Sequence, residues 1–242
     1  FSDCIVSMML AVSGTGTFAN ANSPTTQVNG LSVGANVFRW TINNGPCGAP
    51  TNSQVTVFVF SNLQAAANAG ADQQLCAPTL NTTLTGNSLI APATGQWTVV
   101  AGTGTFGTAA NPTTTVSGLS IGVNTFRWTI SNGPCLPPTT QDEVNVVVFN
   151  PASPNANAGP NQQVCSSSTT LAGNSPLAPA TGTWSVISGT GTFANANSPT
   201  TGVSGLSFGN NVFQWTLSNG PCANGITTSQ VTITRFNPDT PA

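Results

Sequence analysis

The chain has 242 residues and a formal net charge of −2, and only 3% of its residues are charged, against roughly 25% in an ordinary soluble domain. With no histidine and only three lysines and arginines, it cannot offer the basic surface that neutralises nucleic-acid phosphates. No run approaches the ~20 apolar residues of a membrane span, and regularly placed tryptophan, phenylalanine and valine argue against a disordered chain.

One segment of the sequence occurs three times. NVFRWTINNGPC at 36–47 returns as NTFRWTISNGPC at 124–135 and as NVFQWTLSNGPC at 211–222. An upstream GTGTF motif follows the same period, with copies 88 and 87 residues apart. Solenoid repeats of 20 to 50 residues need their neighbours, whereas a unit of this length can enclose a core of its own. The predicted domains are 1–64, which is truncated, 65–153 and 154–242.

In chain order, the part that the copies share begins with a strand, which is QWTVV (96–100) in copy two and TWSVI (183–187) in copy three. The first copy aligns Met9 with the tryptophan of this strand. The NTFRWTI strand alternates apolar and polar residues, as a strand with one buried face does. The final strand reads EVNVVVF (143–149). The predicted core residues are Phe38, Trp40, Trp97, Phe126, Trp128, Trp184, Phe213 and Trp215.

The GTGTF motif is rich in glycine and could be mistaken for a phosphate-binding loop. It lacks the lysine and the following helix that such a loop uses, so we interpret it as a tight bend or bulge between strands. Seven or so short strands per unit, turn signals every 8–12 residues and no helical periodicity predict an all-β chain. The predicted fold is three tandem immunoglobulin-like antiparallel β-sandwich domains, the first incomplete.

The six cysteines fall two per copy: Cys4 and Cys47, Cys76 and Cys135, Cys165 and Cys222. Their even number and periodic placement predict one disulfide within each domain and an oxidising, extracellular setting. The pairing Cys4–Cys47 has less support, because copy one lacks the segment that carries the matching cysteine. A zinc site is disfavoured, since there is neither a CxxC pair nor a histidine.

Catalytic residues and cofactors are not predicted. General acid–base chemistry needs a positioned histidine or two convergent carboxylates, and only Asp142 and Glu143 are neighbours among the five acids. Adjacent strand residues point to opposite faces. We therefore expect no enzyme activity, no cofactor and no metal.

The stretches NAGADQQLC, TGQWTVVAGTGTF, NPTTTVSGLSIGVNTFRWTISNGPC and EVNVVVF resemble the immunoglobulin-like, PKD-like repeats strung in tandem in very large secreted surface proteins of Bacteroidetes, including gliding-motility adhesins. The resemblance covers almost all of copies two and three. It implies a β-sandwich fold and export to the cell surface as stalks, fibres or adhesins, and it brings no catalytic residues.

Short connectors rich in alanine, asparagine and proline link the copies and favour semi-rigid joints. Phe60, Phe149 and Phe236 each close a final strand and either pack against the next domain or simply finish a core. The truncated first copy is expected to expose an apolar groove and a bare sheet edge. Another subunit fills them in one hypothesis, and upstream residues of a longer array fill them in the other. The residues assigned to assembly are Met8, Met9, Val231, Ile233 and Phe236.

Two functions remain open at this point. The first is a structural subunit of an extracellular, cell-surface filament or stalk, a homopolymer assembled head to tail, which low charge favours because little repulsion opposes association. The alternative is a ligand-binding or glycan-binding adhesin segment of a longer surface protein. Neither involves a nucleic acid or a membrane span.

Because charges are few and histidine is absent, the fold and its assembly should respond little to ionic strength or to pH between about 5 and 8. Light scattering of the protein at 50 mM and 1 M salt, and at both ends of the pH range, should give the same particle size. Disassembly in high salt would mean that ion pairs hold the subunits together.

Overall fold

The computed structural model describes residues 6–237, with the side chain of Cys47 excepted. This part of the chain is all-β, with nineteen strands and one short 3-10 turn at Gly45–Cys47. The first domain contains β1 (Val6–Ser13), β2 (Thr17–Phe18), β3 (Val28–Asn29), β4 (Gly34–Asn43) and β5 (Thr51–Val59). The second contains β6 (Gln73–Cys76), β7 (Asn81–Thr85), β8 (Thr94–Ala101), β9 (Thr105–Phe106), β10 (Thr113–Ser117), β11 (Gly122–Ser131) and β12 (Thr139–Phe149). The third contains β13 (Gln162–Val164), β14 (Ser168–Thr170), β15 (Thr181–Ser188), β16 (Thr192–Phe193), β17 (Gly202–Ser204), β18 (Gly209–Ser218) and β19 (Ile226–Arg235).

The second and third domains are immunoglobulin-like sandwiches of seven strands, as predicted. In the second, a four-stranded sheet in the order β6-β12-β11-β8 accompanies a three-stranded sheet in the order β7-β10-β9. The third repeats this arrangement as β13-β19-β18-β15 and β14-β17-β16. Neighbouring strands are antiparallel except at one place, where the short opening strand β6 or β13 runs parallel to the end of the last strand. The first domain is incomplete.

The core lies between the two sheets and follows from the period-two pattern of the strands. In β11 the buried side chains are those of Asn124, Phe126, Trp128 and Ile130, which alternate with residues that face outward. Trp128 packs beside Trp97 with ring centroids 5.1 Å apart, and the equivalent pair in the third domain lies at 5.0 Å. The buried members of the predicted core set are Phe38, Trp97, Phe126, Trp128, Trp184, Phe213 and Trp215. Trp40 is only half-buried.

The GTGTF motif forms a bend stabilised by a buried asparagine. In the second domain Asn124 is fully buried, and its Oδ1 accepts hydrogen bonds from Thr103 N at 3.0 Å and Ser120 Oγ at 2.8 Å. Its Nδ2 donates to Ser120 O at 2.8 Å and to Val146 O at 3.2 Å. The same asparagine is buried at 36 and 211. The interpretation as a bend is therefore correct, and the amide organises it.

Glycine is required where a strand passes over a tryptophan. A Cβ at Gly182 would overlap the ring of Trp215, so we expect Gly182→Ala to destabilise the third domain by about 1–3 kcal/mol through overpacking. Gly202 in the same domain is a matched control, because a Cβ there would come no closer than 3.9 Å, to Ala194. Denaturant unfolding followed by tryptophan fluorescence measures both variants. Equal stability of the two would contradict the close packing described here.

Candidate functional site: the domain joints and the open first domain

Residues 6–237 contain no group of three or more His, Cys, Asp or Glu side chains that could hold a metal ion. Within the same range no helix has the length and apolarity to cross a membrane. The adjacent acids Asp142 and Glu143 diverge, since Asp142 Oδ2 accepts from Ala69 N at 2.8 Å while Glu143 pairs with Arg127 at 2.6 Å. Each carboxylate is therefore engaged in a contact within the second domain. The candidate functional features are the contacts between domains and the unfilled part of the first domain.

An aromatic side chain at the end of the first domain and another at the end of the second pack on the domain that follows. The ring of Phe60 lies so close to Gly133 that a Cβ there would come within 2.6 Å of it, and Phe149 stands in the same relation to Gly220, at 2.5 Å. Both glycines have a φ of 55°, which favours glycine for a second reason. Of the two alternatives for these phenylalanines, the structure supports packing against the next domain.

The residue before each of these glycines adds a hydrogen bond across the joint. Asn132 Nδ2 donates to Ser61 O at 2.8 Å, and Asn219 Nδ2 donates to Asn150 O at 2.9 Å. The two asparagines are 8% and 2% exposed. The NGP turn of one domain thus recognises the end of the preceding domain in the same way at both joints.

A disulfide joins the second domain to the third. Cys76, on β6, is bonded to Cys222, with the two Cα atoms 5.1 Å apart. The predicted pairings Cys76–Cys135 and Cys165–Cys222 are therefore wrong, and both Cys135 and Cys165 are free. The bridge connects the first cysteine of one domain to the second cysteine of the next.

The parallel opening strand explains the error. Cys76 is the register partner of Phe149, at the end of β12, whereas Cys135 lies in the connection that precedes β12. A strand of eleven residues spans roughly 35 Å at ~3.3 Å per residue, so the two cysteines of one domain lie at opposite poles. A disulfide needs Cα atoms within about 7 Å. The predicted Cys4–Cys47 pair lies outside the described residues and side chains.

Among the described residues, the first domain has no counterparts of β6 and β7. Its sheets contain only β1-β4-β5 and β2-β3. Val144 and Val146 of the second domain are fully buried. Their counterparts Val55 and Val57, which hold the same register against the preceding strand, are 52% and 38% exposed. This is the apolar groove that the truncation predicts.

The same absence explains why Trp40 is not fully buried. It borders a pocket of about 150 Å³ together with Ile42, Thr51, Asn52 and Ser53. Met9 stands opposite Trp40 in the sheet, in the place that Trp97 takes beside Trp128. Met9 is half-buried, whereas Met8 is 40% exposed on the outer face.

In the complete domains the opening segment covers the outer edge of the last strand. Ala67 N donates to Thr140 Oγ1 at 2.8 Å, and Asn145 N donates to Asp72 Oδ1 at 2.8 Å. In the first domain β5 has no such neighbour among the described residues. Its edge is therefore a template for strand pairing.

The prediction that the final strand offers a free edge for assembly is wrong. Val231 and Ile233 are 1% and 0% exposed, and β19 lies between β18 and β13. Thr232 N, on the outer edge, donates to Asn161 Oδ1 at 2.9 Å. The opening segment of the same domain therefore already binds this edge of β19. Phe236, beyond the strand, is 49% exposed.

Sequence reasoning missed the joint as a site. The signal was present, because NGPC recurs unchanged at the end of a strand while Phe60 and Phe149 recur at the end of another. The sequence did not show that the end of one domain's last strand packs on the turn of the next domain. The buried Asn36, Asn124 and Asn211 were missed too, because asparagine in a strand is ordinarily outward-facing.

No family model matches this chain, and no curated protein matches it. Among solved structures, the PKD domain from KIAA 1837 protein is 29% identical over 39% of this chain and 96% of that chain, with a TM-score of 0.33. Sidekick-1 immunoglobulin domains 1–4 are 11% identical over 96% of this chain and 68% of that chain, with a TM-score of 0.37. A complex of Dpr2 Ig1–Ig2 with DIP-Theta Ig1–Ig3 is 14% identical over 84% and 73%, with a TM-score of 0.41.

The chain is thus similar to PKD and immunoglobulin-like domains, and its own strand order places it in that class of sandwich. The disulfide between the second and third domains is typical of extracellular proteins, because cytosolic thiols are kept reduced.

The disulfide can be tested directly. Non-reducing peptide mapping should recover Cys76 linked to Cys222, and alkylation of the single, unassembled chain without reductant should label Cys135 and Cys165. Cys76→Ser should free Cys222 for labelling and lower stability, by about 5 kcal/mol in the chain-entropy model for a loop of 146 residues. Cys165→Ser is the control and should leave both properties unchanged. Recovery of a Cys76–Cys135 peptide would contradict the arrangement.

Proposed function

We propose that this chain is a structural segment of an extracellular, cell-surface filament or stalk, in which copies assemble head to tail. The observation that carries the proposal is the open groove of the first domain, where Val55 and Val57 are exposed beside the bare edge of β5. Apolar side chains beside unpaired backbone groups are unfavourable in water and favour pairing with another chain.

The occupant we propose is the end of another copy. In the second and third domains, the segment that enters the groove arrives directly from the last strand of the preceding domain. It runs from Phe60 to Ala67 at one joint and from Phe149 to Ala156 at the other, and at its end the main-chain N of Ala67 or Ala156 donates to Oγ1 of Thr140 or Thr227 at 2.8 Å. Phe236 holds the same place at the end of the third domain, so the chain that follows it would lead toward the edge of β5.

A contact between two different surfaces of one chain, when repeated, gives a filament wherever the rotation between copies does not close into a ring. Two further features support this function. The joints combine an aromatic contact, a hydrogen bond and, in one case, a disulfide, which favours a stiff thread. A net charge of −2 leaves little electrostatic repulsion between copies.

The resemblance to large secreted surface proteins of Bacteroidetes fits this function and belongs to the proposal. The proposal includes the division into three domains at 1–64, 65–153 and 154–242, each of which is one structural unit of the filament.

The groove can be tested by placing a charge in it. Val55→Asp or Val57→Asp should abolish filaments seen by negative-stain electron microscopy, because a carboxylate buried without a partner is costly. Val123→Asp is the matched control, since Val123 is also 52% exposed but lies in the complete second domain. Filaments of the Val55→Asp variant that match those of the unchanged chain would contradict the proposed docking. So would a chain that stays monomeric at high concentration.

A further inference from the structure

The two ends of the described chain carry the separate halves of a third joint. The third domain ends with Phe236, the counterpart of Phe60 and Phe149, and next to it stands Cys165, the counterpart of Cys76. Val164, which precedes Cys165, accepts a hydrogen bond from Phe236 N at 2.9 Å. The first domain contributes the other half, an NGPC turn formed by residues 44–47.

Both halves are uncovered where their counterparts are covered. Phe236 is 49% exposed, against 8% for Phe149. Asn44 is exposed, against 2% for Asn219, which donates across a formed joint. Gly45 already has the positive φ, 61°, of the glycines that receive a phenylalanine ring. Cys165 is exposed and free, whereas Cys76 is bonded.

We propose that Cys165 of one copy forms a disulfide with Cys47 of the next, as part of a joint in which Phe236 packs on Gly45 and Asn44 binds the main chain behind Phe236. This inference rests on the proposed function, because it names the contacts of the head-to-tail assembly. The internal joint is its template: the first cysteine of a domain bonds the second cysteine of the following domain, as Cys76 bonds Cys222.

The bond forms by exchange with a small disulfide or an oxidised dithiol protein of the extracellular space. One thiol loses its proton, and its thiolate attacks the disulfide oxidant and displaces one thiol from it. The thiolate of the second cysteine then attacks this mixed disulfide and displaces the other thiol. The two cysteines lose two electrons and two protons in all, and the oxidant is reduced to two thiols.

The partner is a second copy of this chain, and its NGPC turn is the surface recognised. A further immunoglobulin-like unit in a longer chain would present the same chemistry. Peptide mapping distinguishes the two sources, because in purified 1–242 material Cys165 can be linked only to a peptide of this sequence.

The test uses the purified chain in a glutathione redox buffer, with non-reducing gels, peptide mapping and electron microscopy on the same sample. We expect a ladder of covalent oligomers and a linked Cys165–Cys47 peptide. Cys165→Ser and Cys47→Ser should each abolish the ladder. Cys135→Ser, which removes the other described free thiol, should leave it intact.

The aromatic contact has its own matched pair of variants. Phe236→Ala should slow the appearance of the ladder roughly tenfold, as removal of a central interface aromatic does. Ile187→Ala should not, although Ile187 is 50% exposed in the same domain, because it lies on β15, at the opposite edge of the sheet from β13. This separates docking at the joint from random oxidation of an exposed thiol.

The outcomes also separate this inference from the proposed function. Filaments in which Cys165 can still be alkylated, or in which Cys47 is bonded to Cys4 of its own chain, overturn the disulfide and leave the filament function standing. A ladder that survives Cys165→Ser overturns it as well. A linked Cys165–Cys47 peptide in closed dimers without filaments supports the joint and contradicts the filament.

Discussion

The short parallel pairing between an opening strand and the end of the last strand determines how each domain is completed and how it is joined to the next. It covers the outer edge of β12 and β19. It also carries the first cysteine to the pole of the domain that faces the next one. In the described part of the first domain no strand pairs with the outer edge of β5, and Val55 and Val57 are exposed there.

Polar, uncharged side chains make the specific contacts that charged side chains make in most soluble proteins. Buried asparagines bind main-chain groups at the GTGTF bend and at the joints, where Asn219 reaches Asn150 O. Such hydrogen bonds are short-ranged and are not weakened by salt as ion pairs are. At the joints only the amide nitrogen is bonded across the interface, because Oδ1 of Asn132 and of Asn219 is buried without a hydrogen-bond partner. The joints therefore recognise the neighbouring domain by a donated hydrogen bond and an aromatic contact, without any charge complementarity.

The strands and their inward faces could be predicted because alternation in NTFRWTI reports burial directly, and Phe126 and Trp128 are buried accordingly. The truncation could be predicted because three copies could be aligned against one another. The cysteine pairing could not, because sequence distance does not say whether an opening strand runs parallel or antiparallel to the last one. Only pairing with the start of β12, near Thr139, would have placed Cys76 near Cys135. The burial of Val231 and Ile233 was missed for the same reason, since the partner of that edge is a segment of only three strand residues.

The bond between Cys76 and Cys222 also decides how the chain carries a pulling force. The cysteines are 146 positions apart, and that length of chain, fully extended, would span about 500 Å. When the two ends are pulled, tension passes through the sulfur atoms, and the strands from β7 to β18 carry none of it. While the bond stays oxidised, the molecule can therefore lengthen only by the residues outside the bridge. The segment between the two cysteines cannot be extended.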